Sequence, residues 1–144
     1  MVTHANQSQA PDMQQMIAQL KRVEELTNFS WQELMAMNDT ERGRIDREAG
    51  ILHKAIALQI LYIKQLNANI RQRIDALCGA RGALAGIQAE CDAMQIPFTT
   101  FVLYSAGQIT VAPDQEKKCQ VAGMRGVHLQ ARLIRAALEQ LLQQ

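Results

Sequence analysis

Residues 45–77, IDREAGILHKAIALQILYIKQLNANIRQRIDAL, carry the longest regular pattern in this chain. Ile45, Ala49, Leu52, Ile56, Ile60, Ile63, Asn67, Ile70, Ile74 and Leu77 recur mostly at alternating fours and threes, which places them on one seam of a helix. At 1.5 Å of rise per residue, such a helix would extend about 50 Å. Leu58, Leu61 and Leu66 lie off the seam, so the helix is apolar on more than one face and is expected to be surrounded, as the spine of the fold. Ile56, Ile60, Ile63, Asn67, Ile70 and Ile74 are accordingly the expected interface between chains as well as core within one. Asn67 admits two readings. Its amide pairs with a symmetry mate in a parallel coiled coil and fixes the register, or it is an ordinary, partly solvated position while Leu66 takes the core.

Upstream, MVTHANQSQA (residues 1–10) is polar and small and reads as a disordered tail, with a single helical domain expected over 11–144. Pro11 suits the first turn of a helix. Met13, Met16, Ile17, Leu20, Val23 and Leu26 then form one apolar stripe suited to core packing. In FSWQEL, Ser30 and Glu33 have capping-box spacing and Phe29 and Leu34 have staple spacing, so a short helix is predicted to start at Trp31. Asn38, Asp39 and Thr40, with Glu41 three after Asn38, signal the start of the long helix.

Downstream, Gly79, Gly82 and Gly86 weaken the helix and favour a break near Gly79 to Gly82, the alternative being a continuous helix to Met94; helical spacing resumes at Leu84, Ile87, Cys91 and Met94. Beyond Pro97 the period becomes two. FTTFVLY, a SAGQ turn and ITV predict a small β-hairpin over 98–112. Because an isolated hairpin is marginal in water, it is expected to lie on helices or on another chain. Phe29, Trp31, Phe98 and Phe101 are expected to pin the two junctions where they fall. Pro113 and Asp114 open a last helix over 114–142, in which Val127, Ala131, Ile134, Leu138 and Leu141 repeat the heptad spacing and Gly123 and Gly126 weaken the first half. The predicted class is mainly α, with a long heptad-patterned helix, flanking helices and one hairpin.

The chain has 144 residues, enough for one domain, and is 48% hydrophobic, enough for a core. Its net charge of +1 does not demand a polyanionic partner. Cys78, Cys91 and Cys119 form no CxxC pair, so neither a zinc clip nor a redox disulfide is indicated. The start of the chain has no basic-then-apolar pattern of a secretory signal. Ala55 to Ile63, the most apolar stretch, is far short of the roughly 20 residues that a membrane span needs. A soluble, reducing, cytoplasmic setting is expected, with no membrane partner.

Catalysis finds little local support. His4, His53 and His128 are scattered among the cysteines, and no metal, cofactor or catalytic set is expected. GARGALAG lacks the Lys-Ser/Thr of a phosphate loop and follows a helix rather than a strand. Arg42–Asp46 and Arg44–Glu48, each four apart, read as surface pairs on a charged helix face. Arg125, His128, Arg132 and Arg135, spaced 3, 4 and 3, form a basic stripe, with Lys117 and Lys118 upstream and a second group of Lys64, Arg71 and Arg73. Such a stripe follows phosphates or, lacking interleaved aromatic residues, is a solvated face. The functional expectation is a non-enzymatic interaction, assembly or chaperone-type protein that oligomerises and binds a protein partner. The alternative is a nucleic-acid-binding subunit that uses the basic face of the last helix.

Overall fold

Asp12 caps the first helix, α1 (Met13–Leu26), by accepting from the backbone N–H groups of Gln14 and Gln15. The structure is a computed structural model that describes residues 12–66, 68–78 and 82–143. The expected tail over 1–10, the Pro11 reading and Asn67 lie outside the described residues. After α1 come α2 (Trp31–Ala36), α3 (Asp39–Leu66), α4 (Ala68–Cys78), α5 (Ala83–Ala93), α6 (Phe98–Ser105) and α7 (Pro113–Gln143). No strand occurs among the described residues.

Local chemistry sets several of these ends. Glu33 N–H donates to Ser30 Oγ at 3.1 Å, and Ser30 N–H donates to Glu33 Oε1 at 3.0 Å, a complete capping box. Leu34 is buried and Phe29 packs on the same cluster, as the staple spacing requires. Ser30→Ala is therefore expected to cost about 0.5–2 kcal/mol in denaturant unfolding. An unchanged midpoint would show that the box contributes nothing to the folded state. Asn38 Oδ1 accepts from Glu41 N–H at 2.8 Å and so caps α3.

Between Pro97 and Pro113 the chain forms the helix α6 instead of the predicted hairpin. Phe98, Phe101 and Tyr104 recur at i, i+3 and i+6 and pack on a core cluster, and the Phe98 and Phe101 rings lie 6.1 Å apart. The β preference of Thr and Val is weak against that burial. Gly107, at φ 74°, closes α6: its N–H donates to the Tyr104 carbonyl while Gln108 N–H donates to that of Leu103.

The expected 50 Å spine is also corrected. Lys64 on α3 pairs with Asp75 on α4. In one straight helix eleven residues span about 16 Å, beyond the joint reach of these side chains. The axes of α3 and α4 therefore differ, and α4 packs on α3 and α7. The heptad spacing continues in sequence while the helix axis does not. The 31-residue α7 serves as the spine, touching every other described helix. The predicted break after α4 holds where it can be seen: α4 ends at Cys78, α5 starts at Ala83, and residues 79–81 lie outside the described set.

Two apolar clusters lie along α7. One joins its first half, including Cys119, Val121 and Met124, to Leu34, Ile45, Ile87 and Cys91. The other joins Ala131, Ile134 and Leu138 to Met16, Leu20 and Val23 of α1 and Ile56 and Ile63 of α3. The methionine-bearing stripe of α1 is thus core. Phe29, Trp31, Phe98 and Phe101 all pack on the first cluster, at the two junctions the sequence assigns them. Where α5 crosses α7, a Cβ at Gly126 would lie 2.9 Å from Ile87 Cδ1, and one at Gly86 would lie 2.8 Å from Leu129 Cδ1. Glycine there permits the close crossing.

Candidate functional site

A helix has room for two apolar faces, and α3 uses both differently. Ile45, Ala49, Ile56 and Ile63 are buried against the rest of the chain. At 100° per residue, Ile51, Ala55, Leu58 and Tyr62 fall within roughly 60° of one another on the opposite side, with Leu61 on their flank. Ile51 is 67% exposed, Leu58 72%, Leu61 54% and Tyr62 42%. Single exposed apolar residues are ordinary, whereas these follow one another over three turns of one helix.

Glycine adds a second observation. A Cβ built on Gly43 or Gly50 would meet nothing within 4 Å, so packing inside the chain does not require glycine there. Each costs the helix about 1 kcal/mol relative to Ala. Both lie on the same side of the helix as Leu61, about 27 and 16 Å from it along the axis. Arg47 and Lys54 stand exposed beside the stripe. Behind Leu61, a groove of about 300 Å³ opens between Leu20, Ile56, Ile60, Ile74 and Ile134. Lys64 and Asp75 close its rim.

Of the residues expected at an interface, Ile56, Ile63 and Ile74 are buried within the chain. Ile60 and Ile70 are half-buried on the second cluster. Asn67 lies outside the described residues. The face open to another molecule is thus the one carrying Leu58 and Leu61, which the seam leaves aside, and Ile51 and Tyr62, which sequence reasoning missed. Their signal was present: 51, 55, 58 and 62 repeat four, three, four, a second seam beside the first.

The basic stripe of α7 is neither a solvated face nor an open phosphate track. Arg125 donates to Glu90 Oε1 at 2.9 Å and to the Phe29 carbonyl at 2.8 Å. Arg135 pairs with Glu24 and Glu139, and these carboxylates hold its guanidinium well above its ordinary pKa. Arg132 is exposed, while His128 is buried.

Thr27, buried beside His128, donates its hydroxyl proton to the Val23 carbonyl at 2.6 Å, which leaves its oxygen to accept from His128 Nδ1–H at 3.0 Å. Burial first, then the nearby Arg125, lowers the His128 pKa below its ordinary value of 6.5; Arg132 adds to this and Glu24 opposes it. Below about pH 6.5 the unfolded chain therefore takes up a proton that the folded chain resists, and stability falls as pH falls. His53 shifts the same way by burial. His128→Gln is expected to flatten the loss of stability between pH 6.5 and 5 relative to the unaltered chain. An unaltered slope would remove His128 as its source.

The charged face at the start of α3 is only partly as expected. Arg44 pairs with Glu48 at 3.0 Å and with Glu41, but Arg42 pairs with Asp39 rather than Asp46. Arg42 is not solvated. It is buried and also donates to Gln120 Oε1 and the Met37 carbonyl, each at 2.9 Å. It forms one wall of a polar cleft of about 700 Å³ with Asp39, Tyr104, Glu116 and Lys117. Tyr104 donates to Glu116 at 2.9 Å. Cys119 lies in its lining, and burial raises its thiol pKa; burial and then Cys119 push Cys91 up to about 11. Both thiols are protonated at neutral pH, the unreactive form.

Among the described residues, no group of three or more His, Cys, Asp and Glu is placed to hold a metal ion. No described helix is long and apolar enough to cross a membrane. No family model, no curated protein and no solved structure matches the chain.

Proposed function

We propose that this is a non-enzymatic assembly protein that docks a protein partner on the exposed face of α3. One observation carries the reading: Ile51, Leu58, Leu61 and Tyr62 lie in water opposite a face of the same helix that is already buried. The backing is firm, because α3 is anchored by its core face, so the exposed face is presented in one orientation. Binding there would avoid ordering a flexible segment at the moment of contact. Oligomerisation and a chaperone-type role belong to the same class of activity.

A photoreactive side chain at position 58 tests this in extract of the source cells. Covalent adducts to a polypeptide, whether this chain or another, are expected at 58 and not at the exposed control position Gln140 on α7. Equal adduct yields at 58 and 140 would sink the reading.

The alternative, nucleic-acid binding through α7, has less support because Arg125 and Arg135 are bound to carboxylates and His128 is buried. At about 0.15 M salt, micromolar binding of DNA or RNA that Arg132→Glu abolishes would favour it instead.

A further inference from the structure

We propose that the groove between α3, α4 and α7 binds a small aliphatic alcohol, its chain against the isoleucines and its uncharged hydroxyl head at His53 and Gln130. The site stands apart from the docking face, because Ile51, Leu58 and Tyr62 do not line the groove.

The walls set the body of the ligand. Leu20, Ile56, Ile60, Ile74, Ala131 and Ile134 bring aliphatic side chains from four helices to one space. Small-molecule sites are concave and mostly apolar, with a few placed polar groups, and start at about 300 Å³. The α3 residues of the lining run from His53 to Lys64, about 16 Å of helix axis. One water takes about 30 Å³ in the liquid, and a carbon of a chain needs similar room. A groove of about 300 Å³ therefore admits roughly ten heavy atoms. No aromatic residue stands among the described lining residues, so the walls favour a flexible chain over a stacked ring.

The polar lining sets the head. His53 and Gln130 are half-buried, and neither side chain has a hydrogen-bond partner among the described residues. Burial lowers the His53 pKa, so at neutral pH its ring is uncharged and offers one donor and one acceptor. Lys64 and Asp75, by contrast, already answer one another. A carboxylate head would have to displace Asp75, and an ammonium head would have to displace Lys64. A hydroxyl both donates and accepts, which is what His53 and Gln130 leave unmet.

Titration of the full chain with n-octanol is expected to give a dissociation constant on the order of 0.1 mM. Each methylene removed from the alcohol should weaken binding about fourfold. Octanoate and octylamine should bind at least tenfold more weakly than n-octanol. Methyl-resolved NMR locates the ligand. Resonances of Ile56, Ile60, Ile74 and Ile134 should move, while those of Ile45 and Ile96 in the other cluster stay. Ala57→Leu fills the groove from a half-buried lining position and should weaken n-octanol at least tenfold, with the helical circular dichroism retained. His53→Ala, which breaks no bond of the fold, should weaken it several-fold and keeps the test open if Ala57→Leu does not fold. Absence of saturable n-octanol binding, or shifts spread equally over both clusters, overturns the site. Binding unchanged in a folded Ala57→Leu chain, or in His53→Ala, overturns it as well. Octanoate or octylamine binding as tightly as n-octanol overturns the uncharged head. None of these results alters the adducts expected at position 58, so the two proposals fail separately.

Discussion

Leu138→Ala is expected to lower the free energy of unfolding by about 2–5 kcal/mol, the range for removing a fully buried leucine whose site cannot collapse. Leu138 is completely shielded from solvent and sits in the cluster that holds α1 and the middle of α3 to α7. Its cluster draws large side chains from α1, α3 and α7, so the cost should fall in the upper part of the range. Leu142, one turn further on and 47% exposed, supplies the comparison. Leu142→Ala should change stability by less than about 0.5 kcal/mol. Urea titration of both variants decides the matter. Equal, small effects would mean that the end of α7 does not pack on α1 as described.

Arg42→Ala is the second large effect expected, a loss of about 2–3 kcal/mol. The guanidinium is buried and divides its donors among the Gln120 side chain, the Met37 carbonyl and Asp39. Removing it strands the Met37 carbonyl and the Gln120 amide oxygen, both partly buried. The loss should fall short of that for a fully buried ion pair, because Asp39 is 86% exposed and stays hydrated when left alone. Arg42→Lys should recover only part of the stability, since an ammonium cannot reproduce a planar fork with three fixed directions. Full recovery by Lys would show that charge alone matters there, and a neutral Arg42→Ala would show that the α2–α3 corner is held by other contacts.

Both effects lie in places the sequence describes unevenly. Leu138 was legible as core because it belongs to a 3–4 spacing, and burial of such a stripe needs no knowledge of its neighbour. Arg42 was not, because its sequence neighbours are charged and the pattern alone reads as a solvated face. Only the arrival of Gln120 from α7, 78 positions away, turns that face inward. The basic stripe of α7 is the same case: its spacing is in the sequence, but Glu90 on α5 and Glu24 on α1 decide that two of its cations are already answered.

By itself the sequence determined what short-range chemistry can determine. The Ser30–Glu33 box, the Asn38 cap and the Pro113 start of α7 are bonds or constraints within four residues, so they survive whatever the rest of the chain does. The mainly helical class follows from the same local agreement of spacing and caps. Tertiary structure decided the rest. It made 98–105 a helix, because burying Phe98, Phe101 and Tyr104 at helical spacing outweighs a β preference spanning only about 1 kcal/mol. It separated the axes of α3 and α4, which a periodic pattern cannot register, since periodicity is defined along a helix and not between two. It also chose which apolar face of α3 would be core. The second seam is shorter, bounded by Glu48 and Gln65, and the placement of α1 and α7 against Ile56 and Ile63 leaves its Ile51, Leu58 and Tyr62 to the water.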